Sequence, residues 1–249
     1  MKLNRREFLG LSGACAAGLF WGTRAIEAAG TFAGAAAAGV HWGMVVDLTK
    51  HVDGCTECIT ACHQAHNVPQ VPRQGEEIKW IWTEKYSNAF PDELNNYLPE
   101  KLAQKEMMVL CNHCEDAPCV RVCPTKATFR RPDGLVMMDY HRCIGCRYCM
   151  AACPYGARSF NFSDPRLWLT KTDASYPTRE VGVVEKCNFC AERLDQGQQP
   201  ICVAACPYEV LHFGDLNDPN SSVRRLLASR RSVVRKSRLG TGPSVYYLI

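Results

Sequence analysis

Fifteen of the chain's sixteen cysteines fall into four tight groups. They are Cys55-x2-Cys58-x3-Cys62, Cys111-x2-Cys114-x4-Cys119-x3-Cys123, Cys143-x2-Cys146-x2-Cys149-x3-Cys153 and Cys187-x2-Cys190-x11-Cys202-x3-Cys206, and the last three groups each end in Cys-Pro. Thiolates repeated at this spacing bind soft metals. The third group reproduces the ferredoxin run C-x2-C-x2-C-x3-C-P without deviation. Three thiolates on one tight loop grip three irons of a cubane. The fourth, carried away along a short helix and followed by proline, ligates a different cluster. The loop must wrap closely around sulfide, which suits a residue as small as Gly145.

This exchange rule pairs the groups. Cys111, Cys114 and Cys119 are expected to share a [4Fe-4S] cluster with Cys153, and Cys143, Cys146 and Cys149 to share one with Cys123. Cys187, Cys190 and Cys202 then take Cys62, while Cys55 and Cys58 take Cys206. That last site is one thiol short. His51 and Asp53 stand where another cysteine is expected, which leaves a [3Fe-4S] cluster, a [4Fe-4S] cluster completed by His51 or Asp53, or no cluster. Zinc accounts for paired C-x2-C units, but four groups of three or four cysteines overshoot tetrahedral zinc. Cysteines two residues apart on a tight loop also make poor disulfides. Arg142, Arg147, Arg158 and Lys186 flank the third and fourth groups. Any of them lying beside the sulfurs raises a cluster's potential.

The elements that must hold these loops are short. His41–Leu48 reads as a strand leading into the first group, and Ile78–Tyr86 as another with Ile78, Trp80 and Trp82 on one face. Residues 87–105 and 161–180 read as loop insertions. Met107–Leu110 is a short strand. Residues 127–131 and 135–139 flank Pro132-Asp133-Gly134 as a β-hairpin, and one or two helical turns follow each cysteine group. The fold expected is α+β: two ferredoxin-like, double-cluster modules of short β-hairpins and short helices with loop insertions. The inner module spans about residues 106–160, and the outer one about 41–86 plus 181–215. A C-terminal tail, 221–249, is helical at first. Its stretch 221–238 carries seven basic residues and no acid, the pattern of a solvated basic helix or of a docking surface for acidic groups.

Arg5 and Arg6, followed by a short apolar run of mostly small residues, read as a twin-arginine signal peptide over residues 1–38. That route suits a protein that acquires a cofactor before crossing the membrane. The mature chain has no stretch of about twenty apolar residues and so no membrane span. Its location is expected to be periplasmic and peripheral to the inner membrane. A net charge of +4 on 249 residues is too mild for a nucleic-acid binder. No G-x-G-x-x-G, P-loop, G-x-S-x-G, H-E-x-x-H or C-x-x-C-H motif is present. The chain therefore reads as an electron conduit with no catalytic residue of its own, whose donor and acceptor lie on other subunits.

The segments HWGMVVDL, ECITACHQAHNVP, EEIKWIWTEKY, VMMDYHRCIGCRYCMAACPYGARSFNF, GVVEKCNFCAERL and FGDLNDPNSSV resemble the four-motif iron–sulfur subunits of the dimethyl sulfoxide reductase superfamily. They resemble most the exported iron–sulfur subunits (DsrO) of the sulfite-reductase-associated DsrMKJOP membrane complexes. The resemblance implies a periplasmic subunit that contacts an integral membrane quinone-interacting subunit and a multihaem cytochrome c. It further implies a role in dissimilatory sulfur metabolism. Related readings are the electron-transfer subunit of a molybdopterin or tetrathionate-type reductase and, from another class, an enzyme using a site-differentiated cluster.

Overall fold

The apolar run Met44-Val45-Val46 becomes the middle of a four-stranded sheet in the computed structural model, which describes residues 39–249. Arg5, Arg6 and the rest of the expected signal peptide lie outside the described residues. In chain order the first half contains β1 (Trp42–Asp47), α1 (Glu57–Ala65), β2 (Ile81–Lys85), α2 (Tyr86–Ala89), α3 (Glu100–Ala103), β3 (Glu106–Leu110), α4 (Pro118–Arg121), β4 (Thr128–Arg130) and β5 (Val136–Met138). The second half contains α5 (Tyr148–Ala152), β6 (Ser159–Phe160), β7 (Val184–Glu185), α6 (Ala191–Leu194), α7 (Ile201–Ala204), β8 (Leu211–Asp215), α8 (Ser222–Ser229), β9 (Ser232–Val233) and β10 (Val245–Leu248).

The large sheet runs β8-β1-β10-β9. β1 is antiparallel to β8, with Met44 opposite Phe213, and parallel to β10, with Val46 opposite Tyr247. Met44 and Val46 face the main core, whereas Val45 packs with Val223 of α8 and Leu248 on the other face. Cover on both faces explains why β1 reads as a continuous apolar run instead of an alternation. Three hairpins, β2–β3, β4–β5 and β6–β7, complete the set. This is the α+β pattern of short strands and helices that the spacing of the motifs required. No helix among the described residues is long and apolar enough to cross a membrane.

Three expectations shift. The strand expected over 78–86 starts only at Ile81, although Ile78 and Trp80 are buried ahead of it. The insertion 87–105 contains the helical turn α3. The larger correction concerns residues 221–249, which do not form an appended tail. Val245 and Tyr247 are fully buried beside β1. Arg230 pairs with the buried Asp47, and Arg235 is buried against the Ala89 carbonyl and Glu84. Only part of the basic run, including Arg224, Arg225, Arg231 and Arg238, faces solvent. The same segment braces a cysteine loop: Glu115 N donates to Gly242 O at 2.7 Å, Asp116 N to Thr241 O at 3.0 Å and Ser244 N to Asn112 O at 2.9 Å.

Candidate metal centres

The loops that carry the cysteines share one backbone device. In the second, third and fourth groups the residue before the second cysteine of the C-x2-C pair is left-handed: His113 at φ 43°, Gly145 at φ 68° and Phe189 at φ 56°. This kink turns both flanking thiols toward the same side. Gly145 is required there twice over, because a Cβ would also meet the Gly182 carbonyl oxygen at 2.3 Å. A second device follows each Cys-Pro. Lys126, Gly156 and Glu209, three residues after Cys123, Cys153 and Cys206, are all left-handed. Their N–H groups turn back to the cysteine carbonyls at 3.3, 3.4 and 3.5 Å.

These loops gather the cysteines into four adjoining sets. Cys111, Cys114, Cys119 and Cys153 line one small cavity. Cys143, Cys146, Cys149 and Cys123 line a second, and Cys55, Cys58 and Cys206 line a third together with His51. The three cavities are small and similar in size. Cys62 completes the fourth set. Burial first, then the neighbouring charges of Cys187, Cys202 and Cys190, push its thiol well above the ordinary range. Burial and the charges of Cys206 and Cys55 likewise push Cys58 to about 12. Packed this tightly, such thiols ionise only beside compensating positive charge.

The sets also follow one another in a row. Cys149 feels the charge of Cys119, Cys187 that of Cys111, and Cys202 that of Cys58. The order is therefore the Cys143 site, the Cys111 site, the Cys187 site and the Cys55 site. In the two middle sites every cysteine but Cys153 is buried, whereas Cys146 at one end is exposed and Cys55 and Cys206 at the other are partly so.

The donor chemistry fits iron–sulfur clusters. Backbone N–H groups point at sulfur from Thr128 to Cys123 (3.5 Å), Phe189 to Cys187 (3.4 Å), Ile201 to Cys190 (3.4 Å) and Val210 to Cys206 (3.3 Å). Such donors stabilise charge on a ligated sulfur.

The flanking cations separate into buried and peripheral ones. Arg142 is exposed and pairs with Asp139 at 3.2 Å. Arg147 is exposed, and its guanidinium lies 5.3 Å from the Phe160 ring centre. Arg158, in contrast, is buried, donates to Thr128 Oγ1 at 3.1 Å and lies beside Cys119 and Cys149, at the junction of two sites. Lys186 is buried as well, donating to the carbonyls of Cys187 (2.6 Å) and Val136.

Two buried histidines escaped the reading of the sequence. His113 stacks on Phe189 at 3.7 Å. Its Nδ1 accepts from Val136 N (3.0 Å), so its Nε2 donates to Cys187 O (3.1 Å). Burial, then the Lys186 charge, keep it well below the usual imidazole range, hence neutral. His66 has Nδ1 at 2.9 Å from Cys62 O and Nε2 at 2.8 Å from Glu192 Oε1. Both partners accept, so both nitrogens donate. Burial opposes that charge, but hydrogen bonds to Cys190 and Glu192 outweigh it and raise His66 to about 9. No cysteine-like spacing marks either residue in the sequence, although the H-x2-H spacing within HQAHN is visible afterwards.

Of the two candidate non-cysteine ligands, His51 is buried at the Cys55 cavity and Asp53 is not. The Asp53 side chain is 70% exposed.

Comparison with known proteins agrees with this donor set. The family model of the 4Fe-4S dicluster domain matches residues 103–167 and 172–216. The Hdr-like menaquinol oxidoreductase iron–sulfur subunit 1 of Archaeoglobus fulgidus is 40% identical over 98% of this chain and 97% of its own length. The arsenate respiratory reductase iron–sulfur subunit ArrB of a Shewanella species is 39% identical, covering 83% of this chain and 95% of its own. The iron–sulfur cluster-binding subunit of menaquinone reductase from Nitratidesulfovibrio vulgaris is 38% identical, over 83% and 88%.

Proposed function

We infer, since this chain belongs to the iron–sulfur subunits of the molybdoenzyme and Hdr-like menaquinol oxidoreductase family, that it forms the wire between a membrane subunit and a redox partner outside the membrane. Members of this family transfer electrons within reductase complexes and are not the catalytic subunits. The observation that carries the reading is the row of four thiol sets, with all but Cys153 buried in the middle sets and with more open ends.

Three sets offer four cysteines each for a [4Fe-4S] cluster, and the Cys55 set offers three. Such clusters supply reversible one-electron transfer. The chain's own part is to exclude water, aim N–H groups at the sulfurs, and place Arg158 and Lys186 where they favour added negative charge.

The finer reading is an exported, periplasmic subunit of a dissimilatory sulfur-metabolism complex of the DsrO type. It docks on an integral membrane quinone-interacting subunit and on a multihaem cytochrome c. The support is sequence text, above all EEIKWIWTEKY and VMMDYHRCIGCRYCMAACPYGARSFNF, with the paired Arg5 and Arg6 for the export route. A second reading, the electron-transfer subunit of a molybdopterin-type reductase, is supported by the likeness to the Shewanella subunit.

Affinity purification of the tagged chain from native membranes separates them. The finer reading expects a haem c subunit and quinol-dependent reduction of the brown chain. Co-purifying molybdenum without haem c favours the second. Turnover of a small substrate by the isolated chain overturns both.

A further inference from the structure

His51 is a buried polar side chain without a partner. Its side chain is 4% exposed, and neither Nδ1 nor Nε2 makes a well-formed hydrogen bond among the described residues; the Glu106 backbone is the one polar group that approaches the ring from β3. Such a group forgoes the hydrogen bonds it made in water, so buried polar atoms without partners call for a physical explanation. The ring lines the cavity shared by Cys55, Cys58 and Cys206. The nearest acid is no substitute partner: Asp53 Oδ1 lies 3.9 Å from Nδ1 on a largely exposed side chain.

Loop geometry identifies which ligand is missing. Gly54, at φ 81°, stands directly before Cys55, the place taken by His113, Gly145 and Phe189 before the second cysteine of the other groups. Cys55, Cys58 and Cys62 therefore correspond to the second, third and fourth cysteines of the ferredoxin run. The absent first ligand belongs at position 52, where Val52 is exposed. His51 is one residue further back. An imidazole reaches further from its Cα than a thiol does, and that extra reach offsets the added residue.

We propose that His51 is the fourth protein ligand of a [4Fe-4S] cluster held by Cys55, Cys58 and Cys206. This rests on the reading above that the thiol sets hold iron–sulfur clusters. Asp53 and a native three-iron cluster are thereby set aside. The consequence for electron flow follows from charge. A neutral imidazole replaces an anionic thiolate, so this cluster carries one negative charge less than its all-cysteine neighbours and accepts an electron more readily. The Cys55 end is the electron-rich resting place of the row.

The test uses the full-length chain, purified anaerobically as wild type, His51→Cys and His51→Ala. Pulsed electron paramagnetic resonance of the reduced wild type should show the hyperfine coupling of a directly bound nitrogen. Both variants should lose it. His51→Cys should keep its iron while the highest midpoint potential of the wild type shifts downward. His51→Ala should lose about one iron per chain and gain the oxidised-state signal of a three-iron cluster. Full iron and sulfide in the wild type without the nitrogen coupling, or a coupling that survives in either variant, overturns the His51 assignment alone. A three-iron signal in the oxidised wild type does the same. Wild type lacking acid-labile sulfide overturns the cluster reading beneath it. The wild-type measurement decides the matter even if His51→Ala does not fold.

Discussion

Replacing Arg158 by methionine removes a buried positive charge while keeping an unbranched side chain. The guanidinium sits beside Cys119 of one site and Cys149 of the next, so two adjoining clusters feel it. An added electron is stabilised by that cation, and its removal must lower both potentials. A unit pair about 4 Å apart is worth roughly 4 kcal/mol at an effective dielectric of about 20, against about 1 kcal/mol in water. At about 59 mV per tenfold for one electron, the buried figure sets a ceiling of roughly 170 mV. The electron is spread over a whole cluster, so the expected fall is roughly 50–150 mV in two of the midpoints. Arg147 supplies the control. It is exposed, stacked over Phe160 and Phe162 at 5.3 and 5.7 Å, and Arg147→Gln should shift a midpoint by roughly 40 mV at most, the watery limit of the same arithmetic. A redox titration followed by electron paramagnetic resonance reads all of these. The reasoning fails if no midpoint falls in Arg158→Met, if all four fall together, or if Arg147→Gln shifts as far.

Arg179 and Glu185 form an ion pair at 2.7 Å with both side chains fully buried. Arg179→Met should therefore cost about 3–5 kcal/mol in urea unfolding, and adding Glu185→Leu should recover most of it; a single-variant loss below about 1 kcal/mol contradicts this. Burial alone would raise the Asp47 carboxyl, but hydrogen bonds from Arg230 and Thr49 overcome that and hold it below its ordinary 3.8. Its folded pKa is depressed, so its stabilisation is complete above about pH 4 and is lost as pH falls through the folded value. The gap in unfolding free energy between wild type and Asp47→Asn, about 2 kcal/mol by urea denaturation, should be constant from neutrality to about pH 5 and narrow only at more acid pH. Chelating the iron should unfold most of the chain, because cysteines from distant segments meet only at the metal sites; circular dichroism of stripped protein that keeps a sharp melt refutes this.

The motif spacing exposed the thiol sets because cluster ligation is a local rule repeated four times. The hairpin at Pro132-Asp133-Gly134 and strand β1 were legible for a similar reason, since turn chemistry and a short apolar run suffice. What stayed hidden depends on pairing between distant segments. Nothing in Val245–Leu248 announces that it will lie parallel to Met44–Asp47, and a strand so short reads as an end. Arg235 looked like surface charge because its neighbours are basic, yet its partners, Glu84 and the Ala89 carbonyl, come from more than a hundred residues away. Arg179 was equally opaque. It closes a polar loop, but its charge is answered by Glu185, Trp80 and the His66 and Asn67 carbonyls inside the protein.

The placement of charge along the row argues for a direction built into the protein's own residues. Arg158 stands where the Cys143 and Cys111 sites meet, Lys186 between the Cys111 and Cys187 sites, and His66 beside the Cys187 site. Each offsets thiolate charge where water is excluded and a dielectric screen is weakest. On the ligation proposed above, the Cys55 end reaches the same result differently, with the His51 ring where a fourth thiolate would otherwise stand. A single device repeated four times would level the potentials; two devices make the ends unlike. Each end also presents exposed apolar residues: Ile144 and Tyr148 beside Cys146, and Val52 and Tyr208 beside Cys55 and Cys206. With seven of the eight cysteines of the middle sites buried, the two ends are the more open surfaces for electron exchange. Changing either surface should therefore disable one exchange and leave the other intact.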